Sequence, residues 1–446
     1  MRPVPPPASR RAFLKYSALA AAASVLSPSC RTAPRRRTLA PGEKMRLGVI
    51  GVGNRGHENL DGVRSEDIVA ICDVDRRYLD AVKGGLPDAR TYFDFREMLA
   101  AETLDGVVVS TADHTHAVAT AMALRKGCHV YCEKPLTHTV SEARFLTELA
   151  SDVEAVTQMG TQIHALPNYR RVVELVRSGA IGPVREVVVF CNGKTWSGGE
   201  RPSDAPPVPD GLRYDLWLGP AEERPYHPDY LPANWRRWWA FGGGTLADMS
   251  CHYTDLAFWA LGLDYPVTVE AEGPPPHPET TPPWLVVRYE FPAGTMPARD
   301  GFAAARRPGV KLSWYDGGKK PEALAPLGLA AWENGVLFIG DGGFVVSDYD
   351  RHVIGPEKDF AGFEPPAKTI PDSVGHYKEW IDACKSGGET TCPFSYSGRL
   401  TETVLLGNVA YRTGKKLEWD WKRLRATNAP EADRFIETRY RAGWTL

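Results

Sequence analysis

The stretch "MRLGVIGVGNRGHENL" at residues 45–60 decides the fold of the N-terminal half. It begins with a short apolar strand, continues with Gly51, Gly53 and Gly56 in the spacing G-x-G-x-x-G, and then enters a helix-like segment. Glycines in this arrangement let the backbone approach a pyrophosphate closely at the positive end of a helix. The stretch therefore predicts a dinucleotide-binding loop.

A second predicted strand, "DIVAICDVD", carries Asp73 at its end, 22 residues after Gly51. An acid at this place accepts hydrogen bonds from the adenosine ribose of a bound dinucleotide. Because Asp73 would repel a 2′-phosphate, it favours NAD over NADP. Arg76 and Arg77 follow closely and could still hold such a phosphate, so NADP stays open as the less favoured cofactor.

Further strands and helices alternate after this point. "LDGVVVST" and "CHVYCEKP" read as buried parallel strands, and "HAVATAMALRKG" between them reads as a helix. The pattern predicts a doubly wound parallel sheet over residues 41–160. His114 and His116 lie at the carboxyl end of a strand, where such sheets bind ligands. No pair of histidines has metal spacing with a third ligand in sight, so no metal site is predicted.

Three motifs resemble the Gfo/Idh/MocA family of nucleotide-dependent sugar oxidoreductases. They are "STADHTHAVATAMALRKGCHVYCEKPL", "GGGTLADMSCHYTDLAFW" and "HYKEWIDACKSGGETTCPFSYSGRLTETVLLGNVAYRTG". The resemblance runs from about Met45 to the C-terminus. It implies an α/β protein in which a Rossmann domain precedes a substrate-binding and oligomerisation domain over 161–446, with closing helices at 371–415. The second domain would present a large, mostly antiparallel, open-faced sheet to a partner subunit, and runs such as "VREVVVFCN" and "WLVVRYEF" independently suggest such strands.

The resemblance also assigns residues to the reaction. Lys134 matches the family's lysine near the reacting hydroxyl, Glu133 the residue beside the nicotinamide ribose, and Pro135 the proline, often cis, that sets the turn. Asp248 and His252 match the acid and the histidine of the substrate helix. The chemistry agrees, since alcohol oxidation needs a base for the hydroxyl proton, and residues four apart share one helix face, where Asp248 could orient His252. Lys134 could stabilise the developing alkoxide.

The cofactor contacts are expected at the glycine loop, after the second strand and at the ends of the two later strands. These predicted contacts are Gly51, Gly53, Asn54, Arg55, Gly56, Asp73, Thr111, His116, Glu133, Lys134 and Pro135. Substrate contacts are expected from aromatic faces, which stack on sugar rings, and from polar groups around them. The candidates are His164, Trp196, Arg236, Arg237 and Asp255.

The first 40 residues are predicted to be a signal and linker. "SRRAFLKYSALAAAASVLSPSC" resembles a twin-arginine export signal, which implies a periplasmic protein. Cys30 could carry a lipid anchor, although "SPSC" is a poor lipobox. Residues 1–37 hold eight basic residues and no acid, which leaves 45 basic against 55 acidic residues and a formal net charge of −10. That charge excludes nucleic acid as a partner. No segment after the predicted signal is apolar enough to span a membrane. Cys72, Cys128, Cys132 and Cys191 lie in or beside apolar runs and are predicted to be buried thiols.

Three hypotheses for the function follow. An exported dinucleotide enzyme has no supply of NAD outside the cytoplasm. Its cofactor must therefore stay tightly bound and return to its starting redox state in every catalytic cycle. The main hypothesis is an oxidoreductase that transfers hydride from a sugar or glycoside CH–OH and is reset by a carbonyl acceptor. The alternative is a redox-neutral, NAD-dependent glycoside hydrolase, from whose pattern Lys134 departs. A non-catalytic nucleotide sensor is the third, and the intact Lys134, Asp248 and His252 argue against it. A homo-dimer or homo-tetramer is expected from the open-faced sheet.

Overall fold

The computed structural model describes residues 36–193 and 195–446. The sequence that resembles a twin-arginine signal, Cys30 included, lies outside the described residues. Within the described part of the chain, no helix has the length and apolar character needed to cross a bilayer.

The first domain is built on a sheet of six parallel strands: β1 (Arg46–Ile50), β2 (Asp67–Cys72), β3 (Arg90–Tyr92), β4 (Gly106–Val109), β5 (His129–Cys132) and β6 (Thr157–Met159). The strand order is β3-β2-β1-β4-β5-β6, and the connecting helices are α1 (Arg55–Gly62), α2 (Arg76–Lys83), α3 (Phe95–Ala101), α4 (Asp113–Arg125) and α5 (Val140–Asp152). The central strands are buried on both sides, which is why they are continuous apolar runs. The order reverses between β1 and β4, and a ligand cleft forms at the carboxyl ends of strands at such a point. The predicted doubly wound parallel sheet is confirmed.

The second domain contains a nine-stranded sheet. Its strands, with one separate hairpin, are β7 (Val184–Cys191), β8 (Thr268–Glu272), β9 (Val286–Phe291), β10 (Gly294–Met296), β11 (Ala305–Arg307), β12 (Val310–Asp316), β13 (Asn334–Gly340), β14 (Gly343–Ser347), β15 (His352–Gly355), β16 (Leu417–Asp420) and β17 (Arg425–Ala426). The order in the large sheet is β15-β14-β13-β7-β12-β9-β8-β16-β17, and β10 pairs only with β11. Within the nine-stranded sheet, as far as its residues are described, only the β7–β12 pair is parallel, which confirms the mostly antiparallel sheet.

The helices of this half are α6 (Pro167–Arg177), α7 (Tyr214–Leu218), α8 (Gly244–Leu261), α9 (His376–Ser386), α10 (Phe394–Thr413) and α11 (Asp433–Ile436). Short 3₁₀ turns lie at Gln162–Ala165, Asn234–Arg237, Glu322–Leu324, Glu357–Asp359 and Pro430–Ala432. Helix α8 packs on the inner face of the large sheet, where Leu256 joins Val187 and Trp314 in one core. Helix α9 returns to the first domain, and its Trp380 is fully buried beside Val49. Helix α9, which follows strand β15 in the chain, therefore packs into the core of the first domain and connects the two domains.

The outer face of the large sheet is divided into two parts. Over β7, β13 and β14 it is covered by the chain itself, because Leu324, Leu329 and Trp332 pack on Phe190 and Leu337. Over β8, β9 and β12 the face is open and carries the exposed side chains Glu270, Arg288 and Lys311. The open-faced part is thus charged and limited to these strands.

The seven cysteines of the described residues are all buried and free: Cys72, Cys128, Cys132, Cys191, Cys251, Cys384 and Cys392. The Cys128 and Cys132 thiols contact the backbone carbonyls of Leu104 and Leu136 rather than each other. The interpretation of the cysteines as buried thiols is confirmed.

Candidate active site

The glycine loop fits tightly against the end of β4. Gly51 has a φ of +81°, and a Cβ there would lie 2.5 Å from the carbonyl oxygen of Ser110. A Cβ on Gly56 would lie 2.2 Å from the carbonyl oxygen of Gly51. Only glycine avoids both clashes, so the loop can turn sharply into α1. Gly51, Gly53, Asn54 and Arg55 line the cleft, whereas Gly56 serves this close packing.

Asp73 fixes the loop to the end of β2. One carboxylate oxygen accepts from the backbone amide of Val52 at 2.9 Å, and the other accepts from the amide of Asp75 at 3.0 Å. Burial raises the pKa of Asp73 to about 6. The side chain still lines the cleft, so it can meet a ribose while it holds the loop.

The two arginines after Asp73 are already engaged. The Arg77 guanidinium donates to both carboxylate oxygens of Asp75, at 3.0 and 3.1 Å from Nε. The Arg76 guanidinium lies 5.1 Å from the ring centre of Phe93. Each would have to leave its partner in order to hold a 2′-phosphate.

A segment of the second domain closes the cleft from outside, and we call residues 208–241 the cover segment. Leu212 forms a β-bridge with Asp75, and the Arg213 amide donates to the Val74 carbonyl at 2.8 Å. His114 contacts the Trp217 carbonyl through Nε2 at 2.9 Å. The cleft has a volume of about 200 Å³, and its cover-segment wall consists of Leu212, Leu216, Trp217, Leu231, Pro232, Ala233, Trp235 and Arg236.

Sequence reasoning missed this wall. Of the residues that form it, only Arg236 was singled out in the sequence, as a substrate contact. Its contact with the first domain depends on backbone pairing with the loop after β2, and backbone pairing leaves little trace in residue type.

The His116 ring lies between the loops that follow β4 and β5. Its Nδ1 contacts the Pro135 carbonyl at 2.8 Å and its Nε2 contacts the Thr111 carbonyl at 3.1 Å. The ring is buried, and burial lowers its pKa to about 4. The ring connects the loops after β4 and β5, and His116 is not among the residues that line the cleft, so its contact with the cofactor stays a prediction. Thr111 itself does line the cleft.

Glu133 lies in a buried network at the end of β5. Its Oε1 accepts from Asn59 Nδ2 at 3.0 Å and from Gln162 Nε2 at 2.7 Å. Burial raises the pKa of this carboxyl. The peptide bond between Lys134 and Pro135 is cis, as the resemblance implies. Asn59 and Gln162 position Glu133, and neither was singled out in the sequence.

Lys134 and Asp248 form the centre of the site. Lys134 Nζ lies 2.6 Å from Asp248 Oδ1 and 2.6 Å from the Asp248 carbonyl oxygen. Trp196 Nε1 donates to Asp248 Oδ2 at 2.6 Å, and Arg236 Nε donates to Oδ1 at 3.2 Å. Burial alone would raise the pKa of Asp248, but the positive charges of Lys134 and Arg236 outweigh it and hold the pKa well below its usual range. Asp248 is therefore a carboxylate shared by two cations.

The predicted pairing of Asp248 with His252 is wrong. Among the described residues no hydrogen bond joins them, because both Asp248 oxygens are taken by other donors. His252 is 8% exposed and its Nδ1 is buried without a partner. Burial, reinforced by the charge of Lys134, lowers the pKa of His252 well below its ordinary value. The imidazole is thus neutral and carries a lone pair that no protein group orients.

Three predicted substrate contacts lie elsewhere, which corrects their assignment. His164 and Asp255 are fully buried and pair with each other, with 2.8 Å between Nδ1 and Oδ2. Tyr396 donates to the other Asp255 oxygen at 2.6 Å, and the His164 ring stacks on Trp259 at 3.9 Å. The Arg237 side chain forms an ion pair with Asp229. Only Trp196 and Arg236 of the five candidates reach the centre of the site.

Asp113 is a site residue that sequence reasoning missed. It is 4% exposed and begins α4, at the carboxyl end of β4. Burial raises its pKa to about 8 although the charges of Arg236 and Lys134 oppose the shift. Its carboxyl therefore carries a proton at neutral pH. The signal was present, since Asp113 stands among the histidines at a strand end where such sheets bind ligands.

The chain matches two family descriptions. "Oxidoreductase family, NAD-binding Rossmann fold" matches residues 45–161, and "Oxidoreductase family, C-terminal alpha/beta domain" matches residues 167–306. Together they span more than half of the chain, which belongs to the Gfo/Idh/MocA family of oxidoreductases. Its first domain is an NAD-binding Rossmann domain.

Individual relatives carry different activities. The chain is 31% identical over 188 residues to an inositol 2-dehydrogenase of Burkholderia multivorans, covering 39% of this chain and 54% of that protein. It is 29% identical over 202 residues to a glycosyl hydrolase family 109 protein of Shewanella pealeana, covering 39% of this chain and 44% of that protein. The chain thus spans about half the length of the curated relatives it matches.

Solved structures share the fold over most of their length. The WlbA dehydrogenase from Bordetella pertussis, in complex with NADH and UDP-GlcNAcA, has a TM-score of 0.59 and 17% identity, covering 85% of this chain and 99% of that one. GenD2 from gentamicin A biosynthesis, in complex with NAD, has a TM-score of 0.56 and 20% identity, covering 86% of this chain and 99% of that one. At this identity the likeness concerns the fold alone.

Proposed function

We propose that this chain is an NAD-dependent oxidoreductase that transfers hydride between a carbohydrate CH–OH group and a retained cofactor. The observation that carries the proposal is the largely buried Lys134–Asp248 pair, with 2.6 Å between Nζ and Oδ1, next to the dinucleotide cleft. Arg236 makes the connection, because it lines the cleft and also donates to Asp248.

The residues of the cleft fit the cofactor. Gly51 and Gly53 line the cleft at the start of α1, where a pyrophosphate would bind, and Asp73 lies where a ribose hydroxyl would donate. Thr111 and the cover segment line the remaining length of the cleft. NAD supplies the acceptor for the hydride when it is bound there. NAD is favoured over NADP because Arg77 is held by Asp75.

Lys134 and His252 divide the proton chemistry. Asp248 holds the Lys134 side chain in place, and a fixed ammonium lowers the cost of negative charge on a substrate oxygen. His252 is neutral and can accept the hydroxyl proton. Asp113 is buried close enough to Lys134 and Arg236 for their charges to oppose the rise of its pKa. Asp248 and Trp196 keep Lys134 in one position.

A carbohydrate substrate has support from the site and from the relatives. The Trp196 and Trp235 rings flank the Arg236 guanidinium, at 5.3 and 4.2 Å from their centres. Aromatic faces next to hydrogen-bond donors suit the apolar and polar faces of a sugar or cyclitol ring. Relatives include inositol dehydrogenases, which act on a polyhydroxylated ring.

The first test replaces the two groups that would meet the substrate. Lys134→Ala and His252→Ala should lower turnover by at least about a hundredfold while the cofactor stays bound, because neither side chain lines the cleft. Lys126→Ala removes an exposed lysine after α4 and serves as the control. Reduction of the bound nicotinamide by a panel of inositols, sugars and glycosides is followed by absorbance. Wild-type rates in both site variants would refute the assignment.

A redox-neutral glycoside hydrolase is the second candidate. It is favoured by the family 109 relative and by the cover segment, which would keep the cofactor through an internal cycle of oxidation and re-reduction. Proton NMR of aryl glycosides incubated with the protein as purified, without added nucleotide, separates the two candidates. Released aglycone with an unoxidised sugar supports the hydrolase. A keto sugar that forms only with an added carbonyl acceptor supports the oxidoreductase.

We also propose export and self-association. The twin-arginine-like sequence supports a periplasmic location, with Cys30 as the position to examine for a lipid anchor. The open, charged face of β8, β9 and β12 is the surface offered for a homo-dimer or homo-tetramer. Fractionation of cells and light scattering of the purified protein test these points.

A further inference from the structure

A second cavity lies beside the N-terminal end of α8. We call it the arginine cavity, and its main side chains are Arg224, Trp239, Asn408, Arg412 and Arg434. It shares no lining residue with the dinucleotide cleft. Its volume is about 240 Å³, enough for a molecule of monosaccharide size. Neither Lys134 nor Asp248 reaches it, so the cavity does not belong to the reaction site.

Arg412 is a largely buried cation, and no acid within the described part of the chain forms an ion pair with it. Its guanidinium lies between two aromatic rings, 4.8 Å from the centre of Trp239 and 4.2 Å from that of Phe435. Burial lowers its pKa to about 10, and among the described residues the charged neighbour that acts on it is Arg434, also a cation. Removing most of a guanidinium from water without an anion is costly, and a bound anion would offset that cost.

The acids around the cavity do not neutralise Arg412. Glu279 is held by Arg201 at 2.7 Å and lies 3.5 Å from Arg224. Glu222 and Glu437 are exposed at the rim. The interior near Arg412 therefore remains positive.

Asn408 provides a polar group of a different kind. It is 7% exposed, and its Nδ2 donates to the Gly243 carbonyl at 2.8 Å. This bond fixes the amide, and Oδ1 is left buried without a partner among the described residues. A buried acceptor of this type is normally satisfied, and a hydroxyl group of a ligand would satisfy it.

We propose that the arginine cavity binds a small organic anion, namely a carboxylate or phosphate on a hydroxylated body of monosaccharide size. The anion contacts Arg412 and Arg434, and a hydroxyl donates to Asn408. The ligand would lie against Gly243, which immediately precedes the helix that carries Asp248, and against His138, four residues after Lys134. The cavity thus touches both segments that carry the catalytic pair, as an effector site would. This inference does not depend on the proposed reaction.

Calorimetric titration of the full-length protein, with its cofactor as purified, tests the proposal with glucuronate, glucose 6-phosphate and neutral glucose. Saturable binding of either acid, and at least about tenfold weaker binding of glucose, is expected, because glucose lacks the charged group that bonds to the arginines; tenfold corresponds to about 1.4 kcal/mol. The acid that binds more tightly identifies the anionic group.

Variants locate the site. Arg412→Met keeps the packing between the rings and should weaken anion binding at least about tenfold. The matched control Arg423→Met removes an exposed arginine that pairs with Asp420, and it should bind as the wild type does. Thermal unfolding checks that each variant is folded. If Arg412→Met does not fold, the exposed Arg434→Met decides, with weaker binding expected. Absence of saturable binding, unchanged binding in folded Arg412→Met, or binding lost only in Lys134→Ala would overturn the proposal.

Discussion

Replacing Asp248 with Asn tests whether this carboxylate holds the site together. The substitution keeps the shape of the side chain but removes its charge. Lys134 and Arg236 would then be two neighbouring cations with no anion between them. Trp196 would keep a possible acceptor, so the change isolates the charge rather than the packing.

The magnitude follows from the burial of the pair. The side chains of Lys134 and Asp248 are 11% and 15% exposed, and Nζ lies 2.6 Å from Oδ1. Removing one partner of a buried pair costs about 3–5 kcal/mol of unfolding free energy. The partial exposure of Arg236, at 25%, places the expected loss near the lower limit, about 3 kcal/mol. Turnover should fall at least about a hundredfold, because Lys134 loses the bond that positions it.

Urea unfolding of the wild type and Asp248→Asn gives the loss of stability. Asp264→Asn is the matched control, because Asp264 pairs with Arg399 at 3.0 Å with both side chains exposed, and its loss should cost at most about 1 kcal/mol. The folded-state pKa of Asp248 is depressed, so its contribution is complete at neutral pH and declines as pH falls below about 4. A loss no larger than that of Asp264→Asn, or one independent of pH in acid, would refute the reasoning.

Three further predictions concern other parts of the site. Burial raises the pKa of Asp113 to about 8, so between pH values of about 4 and about 8 the folded state binds a proton that the unfolded state has lost. The stability of the wild type should therefore fall as pH rises through this range. Asp113→Asn should reduce this dependence, which urea unfolding midpoints measured across pH would show. Trp217→Ala should release cofactor during gel filtration, since the side chain lines the cleft, whereas the exposed Trp421→Ala should retain it. Asp73→Ser should shift the ratio of NADP to NAD affinity upward by about tenfold, and an unchanged ratio in fluorescence titration would count against Asp73 as the ribose contact.

The parallel sheet of the first domain and four of its six strands could be predicted because their signals are local. The glycine spacing after β1, the acid at the end of β2 and the apolar parallel strands each report a constraint within a few residues of the chain. Lys134 and Asp248 were found through motifs, and helical spacing placed Asp248 and His252 on one face. What that spacing could not show is which partner each side chain takes. Asp248 turns to Lys134, Trp196 and Arg236, and this leaves His252 without an acid.

The sequence by itself therefore determined the family, the two-domain order, the dinucleotide loop and the identity of the central charged residues. Only the tertiary structure decided how they are used. His164 and Asp255 bury each other, the cover segment pairs with the loop after β2, and Asp113 becomes a protonated carboxyl. Each of these outcomes depends on contacts between residues far apart in the chain and on the loss of water around them. Local sequence patterns determine the hydrophobic periodicity of helices and strands and where these elements begin and end. Burial and charge pairing are decided only when the two domains pack together.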